Sequence, residues 1–137
     1  MALVLDTGPI VAAVNRGDPN HRRCAAVLAG NEDFVVPSPV LVEVDYWLGK
    51  LIGPQAWADF VDDIVTGAYR VIHPSEADLA RAAELELAYA DLRLGLVDAA
   101  VIALCERLGE TRVATLDHRH FSVVRPRHCP HLTLLPG

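Results

Sequence analysis

The first residues constrain the fold more than any other stretch of this chain. Ala2–Leu5 is an unbroken apolar run that ends abruptly in Asp6 and Thr7, followed by a Gly-Pro pair. A short unbroken apolar run predicts a strand buried on both faces, as in a parallel sheet. The Gly-Pro pair breaks the strand, and its proline suits the first turn of a helix. Asp6 is therefore predicted at the carboxyl end of a central strand, the edge where open α/β sheets place their sites.

Four further apolar runs alternate with helical patterns along the chain. Strands are predicted at Phe34–Pro37, Tyr69–Ile72, Arg112–Leu116 and Leu132–Leu135. Helices are predicted over Pro9–Asn15, His21–Ala29, Val40 to about Leu51, from Pro54 onward, from Ser75 to about Ala90, and over Val97–Leu108. This alternation predicts an α/β protein with a parallel sheet and helices on both faces. No repeat or linker stands out, so we expect a single domain spanning residues 1–137.

Two of these helices carry apolar stripes that should face the core. In the helix from Val40 the stripe is Val40, Val44, Trp47 and Leu51. In the helix from Pro54 it is Trp57, Phe60, Val61, Ile64 and Val65. Two helix ends also carry sequence signals: Ser75 and Asp78 resemble a capping box, and Gly109 suits a left-handed helix terminus.

Composition limits the ways in which this chain can meet nucleic acid or a membrane. Its 12 basic and 18 acidic side chains give a net charge of −6, which argues against a general nucleic-acid coat. An enzyme that reaches phosphates through metal ions stays compatible, because the metal carries the positive charge. No apolar run reaches the roughly 18 residues of a membrane span, and no signal peptide is evident. The three cysteines lack CxxC spacing and predict free thiols in a reducing cytosol.

Four carboxylates are predicted to meet at one edge of the sheet. Asp6 and Asp117 each follow a strand, while Glu43 and Asp98 each lie in the first turn of a helix. The carboxyl ends of parallel strands and the helix N-termini that follow them share one edge. Converging carboxylates repel one another in a partly buried site unless a cation joins them. Mg²⁺ or Mn²⁺ is the simplest such cation, because both prefer oxygen ligands and Mg²⁺ often bridges to phosphate.

Each acid also has a purely local explanation. Asp6 and Asp98 could cap helices, Glu43 could favour the positive end of its helix, and Asp117 could belong to a turn. The functional interpretation depends on all four falling at the same predicted edge. Three hydroxyl side chains flank the acids and could orient a water, a carboxylate or a phosphate oxygen: Thr7, Ser38 and Thr115.

Taken in order, these acidic motifs resemble those of the PIN domain, and specifically the VapC-type toxins of bacterial toxin–antitoxin pairs. The motifs are Leu5-Asp6-Thr7, Pro37-Ser38 through Val42-Glu43-Val44, Gly95-Leu96-Val97-Asp98-Ala99 followed by Ala103 to Gly109, and Ala114 to Phe121. Any one motif is common, whereas the ordered set in a chain of this length is specific. The resemblance implies a three-layer α/β/α sandwich with a five-stranded parallel sheet.

The resemblance also implies an activity, a cofactor and partners. It implies a Mg²⁺- or Mn²⁺-dependent endoribonuclease that a VapB-type antitoxin neutralises and that usually forms a homodimer. By the same resemblance, Asp6 and Asp98 are the principal metal ligands, and Asp117 completes the metal site directly or through water. Glu43 would orient or activate the attacking water. His120 falls where some members have an acidic residue, and we leave it out of the predicted site.

Two further positions match the family as supporting residues, because Thr7 and Thr115 fall where small hydroxyl residues are common. The most basic part of the chain lies near the fourth motif, with Arg112, Arg119, Arg125 and Arg127. These arginines could form an ordinary solvated surface, or some of them could hold RNA phosphates beside the acidic site.

Other chemistries compete for the same residues. Asp6-Thr7-Gly8 is the aspartic protease triplet, but that site needs a second copy on an all-β scaffold. An aspartyl-phosphate enzyme could use Asp6 as nucleophile. It would normally have a second aspartate two residues on and a lysine at the sheet edge, whereas position 8 is glycine and the only lysine is Lys50. A zinc site among the C-terminal histidines and Cys129 lacks a standard ligand frame. A non-catalytic RNA-binding homologue is the remaining alternative.

Overall fold

The computed structural model describes residues 2–137, and its strands and helices alternate along the chain. The strands are β1 (Ala2–Leu5), β2 (Asp33–Pro37), β3 (Arg70–Ile72), β4 (Arg112–Ala114) and β5 (Thr133–Leu135). The helices are α1 (Thr7–Val14), α2 (His21–Leu28), α3 (Ser38–Leu51), α4 (Pro54–Val65), α5 (Glu76–Ala88), α6 (Leu96–Leu108) and α7 (His118–Val123). A short 3₁₀ turn, Ala90–Leu92, joins α5 to the loop before α6. The predicted elements are all found, with ends that move by a few residues.

The five strands form one parallel sheet in the order β3-β2-β1-β4-β5. Because crossovers between parallel strands are right-handed, the helices from α1 to α4 cover one face and those from α5 to α7 cover the other. After β1 the chain first adds β2 and β3 on one side of it, and then returns to add β4 and β5 on the other side, so the strand order reverses between β1 and β4. Such a switch point leaves a crevice at the carboxyl ends of the two strands. The predicted α/β/α sandwich with a five-stranded parallel sheet is confirmed.

The core lies between the central strands and the helices on both faces. β1 is buried along its whole length, and β2 is buried from its second residue onward. Seven consecutive residues of α6, Ala99 to Cys105, are also buried. This explains why α6 reads as nearly continuous apolar sequence rather than as an amphipathic stripe. The fully apolar strands agree with the rule that central parallel strands are covered on both sides.

The predicted stripe of α3 is wrong in half of its members. Val40 and Val44 are buried as expected, but the next buried position is Leu48. Trp47 and Leu51 are instead exposed by 41% and 50%. The reason is geometric: positions 40, 44 and 48 repeat every four residues, and a step from 47 to 48 rotates a side chain by about 100°.

The predicted stripe of α4 is correct except at its last member. Phe60 is buried, and Trp57, Val61 and Ile64 are half-buried, but Val65 is 77% exposed at the end of the helix. The helix ends there, and Ile64 is its last residue that packs against the core. Phe60 forms tilted contacts with the rings of Trp57 and Tyr69, which close this edge of the core.

Both predicted helix-end signals are confirmed. Ser75 Oγ accepts from the Asp78 N–H, and the Asp78 carboxylate accepts from the Ser75 N–H, which completes the capping box. Gly109 has a φ of 69°, the left-handed conformation expected at the end of α6. Among residues 2–137, the helices are all too short or too polar to traverse a lipid bilayer.

Candidate active site

Asp6 and Thr115 are fixed by the sheet at the switch point between β1 and β4. The Asp6 N–H donates to the Ala114 carbonyl at 2.9 Å, and the Thr115 N–H donates to the Leu135 carbonyl at 2.8 Å. The Thr115 hydroxyl donates to Asp6 Oδ2 at 2.8 Å and accepts from the Asp117 N–H at 3.0 Å. One fully buried hydroxyl therefore ties the first acid to the backbone of the last.

Asp6 is a carboxyl group held where an isolated charge is unfavourable. It is only 6% exposed. Burial, together with the negative charge of Asp98, raises the pKa of Asp6 from 3.8 to about 6. Hydrogen bonds from the Thr7 N–H and the Thr115 hydroxyl act in the opposite direction and hold the pKa below the value that burial alone would give. The balance describes a buried carboxylate that a cation would stabilise.

Glu43 reaches the same edge from the second turn of α3. The prediction that it lies in the first turn is wrong, because the helix begins at Ser38, two residues before the predicted start. Its Oε1 accepts a 2.6 Å hydrogen bond from the Thr7 hydroxyl. Thr7 is the first residue of α1 and follows Asp6 directly, so β1 and α3 are joined through this bond. The charge of Glu43 raises the pKa of both Asp6 and Asp98, which places all three carboxyl groups in one electrostatic cluster.

Asp98, Asp117 and His120 form the most compact part of the cluster. His120 Nδ1 lies 2.8 Å from Asp98 Oδ2 and 2.9 Å from Asp117 Oδ2. Each of the three residues offers a ligand atom, and these atoms all lie within 4.8 Å of one another. Asp98 is supplied by the first turn of α6, and the other two residues flank the start of α7.

The imidazole of His120 is the hydrogen-bonding partner of these acids. Its hydrogen bond to Asp98 is the largest factor that raises the pKa of His120, and the charge of Asp117 and the Leu92 carbonyl act in the same direction. Burial raises the pKa of Asp98, and the charge of Asp117 adds to this, while the His120 hydrogen bond opposes it. The site therefore contains more carboxylate than the single imidazole can neutralise.

The sequence prediction omitted His120. Asp117 Oδ1 caps α7 by accepting from the His120 N–H at 3.1 Å. In this first turn of α7 the imidazole of His120 also lies against the Asp117 side chain, with Nδ1 2.9 Å from Oδ2. The signal was present in the spacing, because positions three apart on a helix lie on one side. Ser38, a predicted flanking hydroxyl, begins α3 and is half-buried. The six residues predicted for the site, and His120 with them, lie at the carboxyl edge: Asp6, Thr7, Glu43, Asp98, Thr115 and Asp117.

The donor set suits a hard divalent cation. Several carboxyl groups converge, two of them carry a raised pKa, and a single nitrogen donor lies among them. Mg²⁺ and Mn²⁺ prefer oxygen ligands, and ligand carboxylates must be ionised to bind them. Metal binding would therefore relieve the repulsion that raises the pKa of Asp6 and Asp98.

Three of the basic residues in the C-terminal part, His128, Arg112 and Arg127, make contacts away from the acidic site. His128 Nε2 lies 2.6 Å from the Glu110 carbonyl, and within residues 2–137 the sole group of three or more metal-ligand side chains is the one at Asp98. Arg112 begins β4 and pairs with Glu32 at the opposite edge of the sheet. Arg127 pairs with Glu84 at 2.9 Å. Arg119, next to Asp117 and His120 in α7, is exposed.

Comparison with known proteins agrees with this fold. Over 135 residues the chain is 30% identical to Ribonuclease VapC26 of Mycobacterium tuberculosis, covering 98% of this chain and all of that protein. The crystal structure of Mycobacterium tuberculosis VapC20, a sarcin-ricin loop cleaving toxin, is similar with a TM-score of 0.79 and 20% identity over 86% of this chain and 92% of that one. VapBC2 from Rickettsia felis, bound to a promoter DNA fragment, is similar with a TM-score of 0.69 and 20% identity over 98% of this chain and 97% of that one.

The chain resembles these proteins in sequence as well as in shape. The model of the PIN domain family matches residues 3–125, which include the residues at the carboxyl edge of the sheet. The match to VapC26 extends over the whole length of that protein. The chain therefore belongs to the PIN domain family and, within it, to the VapC proteins.

Proposed function

We propose that this protein is a divalent-metal-dependent endoribonuclease of the VapC type, which hydrolyses RNA phosphodiester bonds. The observation that carries the proposal is the convergence of Asp6, Glu43, Asp98 and Asp117 at one edge of the sheet, with the pKa of Asp6 raised to about 6. An acidic cluster of this kind costs stability in the absence of a cation, and a role in binding one explains its presence.

Asp6, Asp98 and Asp117 would hold Mg²⁺ or Mn²⁺, with His120 beside them as a further donor. When bound, the cation would act as a Lewis acid that polarises a phosphate oxygen of the substrate. Glu43 would orient the attacking water and take its proton. Thr7 holds Oε1 of Glu43 at 2.6 Å, which leaves the second carboxylate oxygen for that water. Thr115 fixes the rotamer of Asp6 through its 2.8 Å hydrogen bond.

The partners are proposed from the relatives. One similar protein is named a ribonuclease, and a similar structure contains a VapBC assembly. We infer that RNA is the substrate, that a VapB-type antitoxin neutralises the activity, and that the chain forms a homodimer. Arg119 is exposed beside Asp117 and is suited to bind a backbone phosphate near the acids. Arg112 has no part in this, because its pair with Glu32 lies at the opposite edge of the sheet.

The aspartyl-phosphate alternative gains no support from the surroundings of Asp6. Its carboxylate accepts hydrogen bonds from Thr7 and Thr115. The single lysine, Lys50, extends from the far end of α3 and donates to the Tyr46 hydroxyl at 3.3 Å. A phosphoryl-transfer site built on Asp6 would therefore lack the lysine that usually neutralises the phosphate in such enzymes.

Cleavage of RNA with and without divalent metal tests the proposal. The wild-type protein should cleave a structured RNA mixture with Mg²⁺ or Mn²⁺, lose the activity in EDTA and regain it when the metal is restored. Asp98→Asn should stay folded by circular dichroism and lose cleavage, because it removes a metal ligand without changing the side chain's shape. Asp91→Asn is a matched control, since Asp91 is exposed in the 3₁₀ turn. Full activity in folded Asp98→Asn would contradict the assignment.

Expression in bacteria tests the toxin role separately. Expression of this chain alone should slow growth, and Asp6→Ala should relieve the arrest. Arrest that persists with Asp6→Ala would mean that the toxicity has another source. Co-expression of the protein encoded by the neighbouring reading frame should restore growth if that protein is the antitoxin.

A further inference from the structure

Trp47 is a large apolar side chain that is exposed to solvent at the rim of the acidic site. It is 41% exposed, because the buried face of α3 is filled by Val40, Val44 and Leu48. Glu43 and Trp47 are four residues apart, so both lie on one flank of the helix. The tryptophan therefore follows the residue proposed to activate water, one helical turn further along.

A pocket of about 290 Å³ lies between this tryptophan and Glu43. Trp47 lines it together with Thr7 and Glu43, the hydrogen-bonded pair of the site. Gly8 and Leu116 also line the pocket, and a Cβ on Gly8 would come within 3.2 Å of the Leu116 side chain. Val11 and Asp18 complete the lining, so the pocket is bounded by the Gly8 backbone, aliphatic side chains and an aromatic ring, with the carboxylates of Glu43 and Asp18 in its wall.

The ring of Trp47 is held in place by its neighbours on α3. The ring of Tyr46 meets it edge-on, with centroids 5.1 Å apart and an interplanar angle of 83°. Lys50 Nζ lies 5.7 Å from the Trp47 centroid, which adds a cation–π contact. From Glu43, Trp47 lies about 6 Å and Lys50 about 10 Å along the helix axis, by the rise of an α-helix. A carboxylate, an aromatic ring and a cation thus follow one another along one helix face.

We propose that Trp47 is a stacking platform for a nucleobase of the RNA, next to the phosphate at the acidic site. The inference rests on the proposed ribonuclease function. Aromatic stacking holds single-stranded nucleic acid independently of sequence. It is also unaffected by charge, which matters for a protein of net charge −6 whose site is itself acidic. Lys50 would neutralise a backbone phosphate at the outer end of the same helix face.

Tryptophan fluorescence tests the platform directly, because the chain has two tryptophans, Trp47 and Trp57. In an Asp98→Asn background, Trp57→Phe leaves Trp47 as the reporter, and Trp47→Phe leaves Trp57. Eight-nucleotide oligomers of A, U, C or G should quench the first protein and leave the second nearly unchanged. Equal quenching in both proteins, or none in either, would overturn the proposal.

Steady-state kinetics of Trp47 variants that keep Asp98 test whether stacking contributes to RNA cleavage. Trp47→Ala should raise KM by about 5- to 150-fold, the range that stacking of one base gives, with a smaller change in kcat. Trp47→Phe should restore most of the affinity, whereas Val42→Ala, a 75% exposed position of the same helix, should leave KM unchanged. An unchanged KM in Trp47→Ala would overturn the proposal. So would a changed oligomeric state in that variant, which would assign Trp47 to a contact between copies.

These readouts separate the platform from the ribonuclease activity. If the wild-type protein binds the oligomers through Trp47 but cleaves no RNA, the proposed function fails and the platform stands. If it cleaves RNA with metal and Trp47→Ala behaves as the wild type, the platform fails and the proposed function stands.

Discussion

The hydroxyl of Thr115 donates a 2.8 Å hydrogen bond to the carboxylate of Asp6, across 109 positions of sequence. The same oxygen accepts the Asp117 N–H at 3.0 Å. Because Thr115 is fully buried, water cannot replace it in either bond. This side chain therefore sets the orientation of one acid and the path of the chain into another.

Replacement of this hydroxyl should affect both stability and activity. Thr115→Val keeps the shape but removes the acceptor of the Asp117 N–H and leaves the Asp6 carboxylate with the Thr7 N–H alone. We expect a loss of about 1–3 kcal/mol in the free energy of unfolding, and a loss of metal-dependent cleavage. Urea unfolding and the RNA assay measure the two effects. Thr115→Ser restores the hydroxyl and should recover both; a stable, active Thr115→Val would show that the bonds are dispensable.

Asp6 should make the metal-free protein less stable as the pH rises. Its folded pKa of about 6 lies above the ordinary 3.8, so the folded state binds the proton more tightly than the unfolded state. The stabilising contribution is complete below pH 4 and is lost as the pH rises through 6. The loss amounts to roughly 3 kcal/mol in the difference between wild type and Asp6→Asn.

Unfolding in EDTA across pH 4 to 8 measures this difference. In metal-free solution at pH 7.5, Asp6→Asn should have the higher Tm. Mg²⁺ or Mn²⁺ should raise the Tm of the wild type and have little effect on Asp6→Asn, because the variant lacks a ligand. A wild-type protein that gains nothing from either metal would speak against Asp6 as part of a metal site.

His120 should have the opposite pH dependence. Contact with Asp98 raises the pKa of His120 above 6.5, so its contribution to stability is complete below pH 6.5 and is lost as the pH rises through the folded pKa. In metal-free solution, His120→Ala should therefore destabilise the protein more at pH 6 than at pH 9. Unfolding at the two pH values checks this, and His118→Ala is the control, since His118 is exposed in the same helix. An equal loss at both pH values would mean that packing, not charge, accounts for the effect.

Core substitutions in α4 test how the helix faces the sheet. Phe60 is 3% exposed, and Phe60→Ala should cost about 3–5 kcal/mol in the free energy of unfolding. Trp57→Ala and Ile64→Ala should cost less, toward 2 kcal/mol, because both side chains are half-buried. Val65→Ala, at a position 77% exposed, should lie within about 0.5 kcal/mol of wild type. Urea unfolding ranks the four variants; a large loss at Val65 would place that residue in an interface.

The sequence by itself determined the order of the five strands and of the helices up to α6, the parallel sheet and the edge at which the acids meet; α7 was not predicted. These features follow from local signals: unbroken apolar runs, the capping box at Ser75, the glycine at 109, and acids placed directly after strands. An unbroken apolar run can only be satisfied by cover on both faces, so its carboxyl end has few places to lie. Asp6 and Asp117 could be identified for that reason, and Glu43 and Asp98 because they lie near the start of helices that begin at the same edge.

Only the tertiary structure decided which side chains on a helix turn inward and which neighbours complete the site. A helical wheel cannot separate Trp47 from Leu48 as the buried residue of α3, because the choice depends on what α3 packs against. His120 joined the acids because α7 turns back over its own cap, and Arg112 was removed from them by its place at the start of β4. Contacts such as Thr115 with Asp6 depend on strands brought together across most of the chain, and no local pattern encodes that distance.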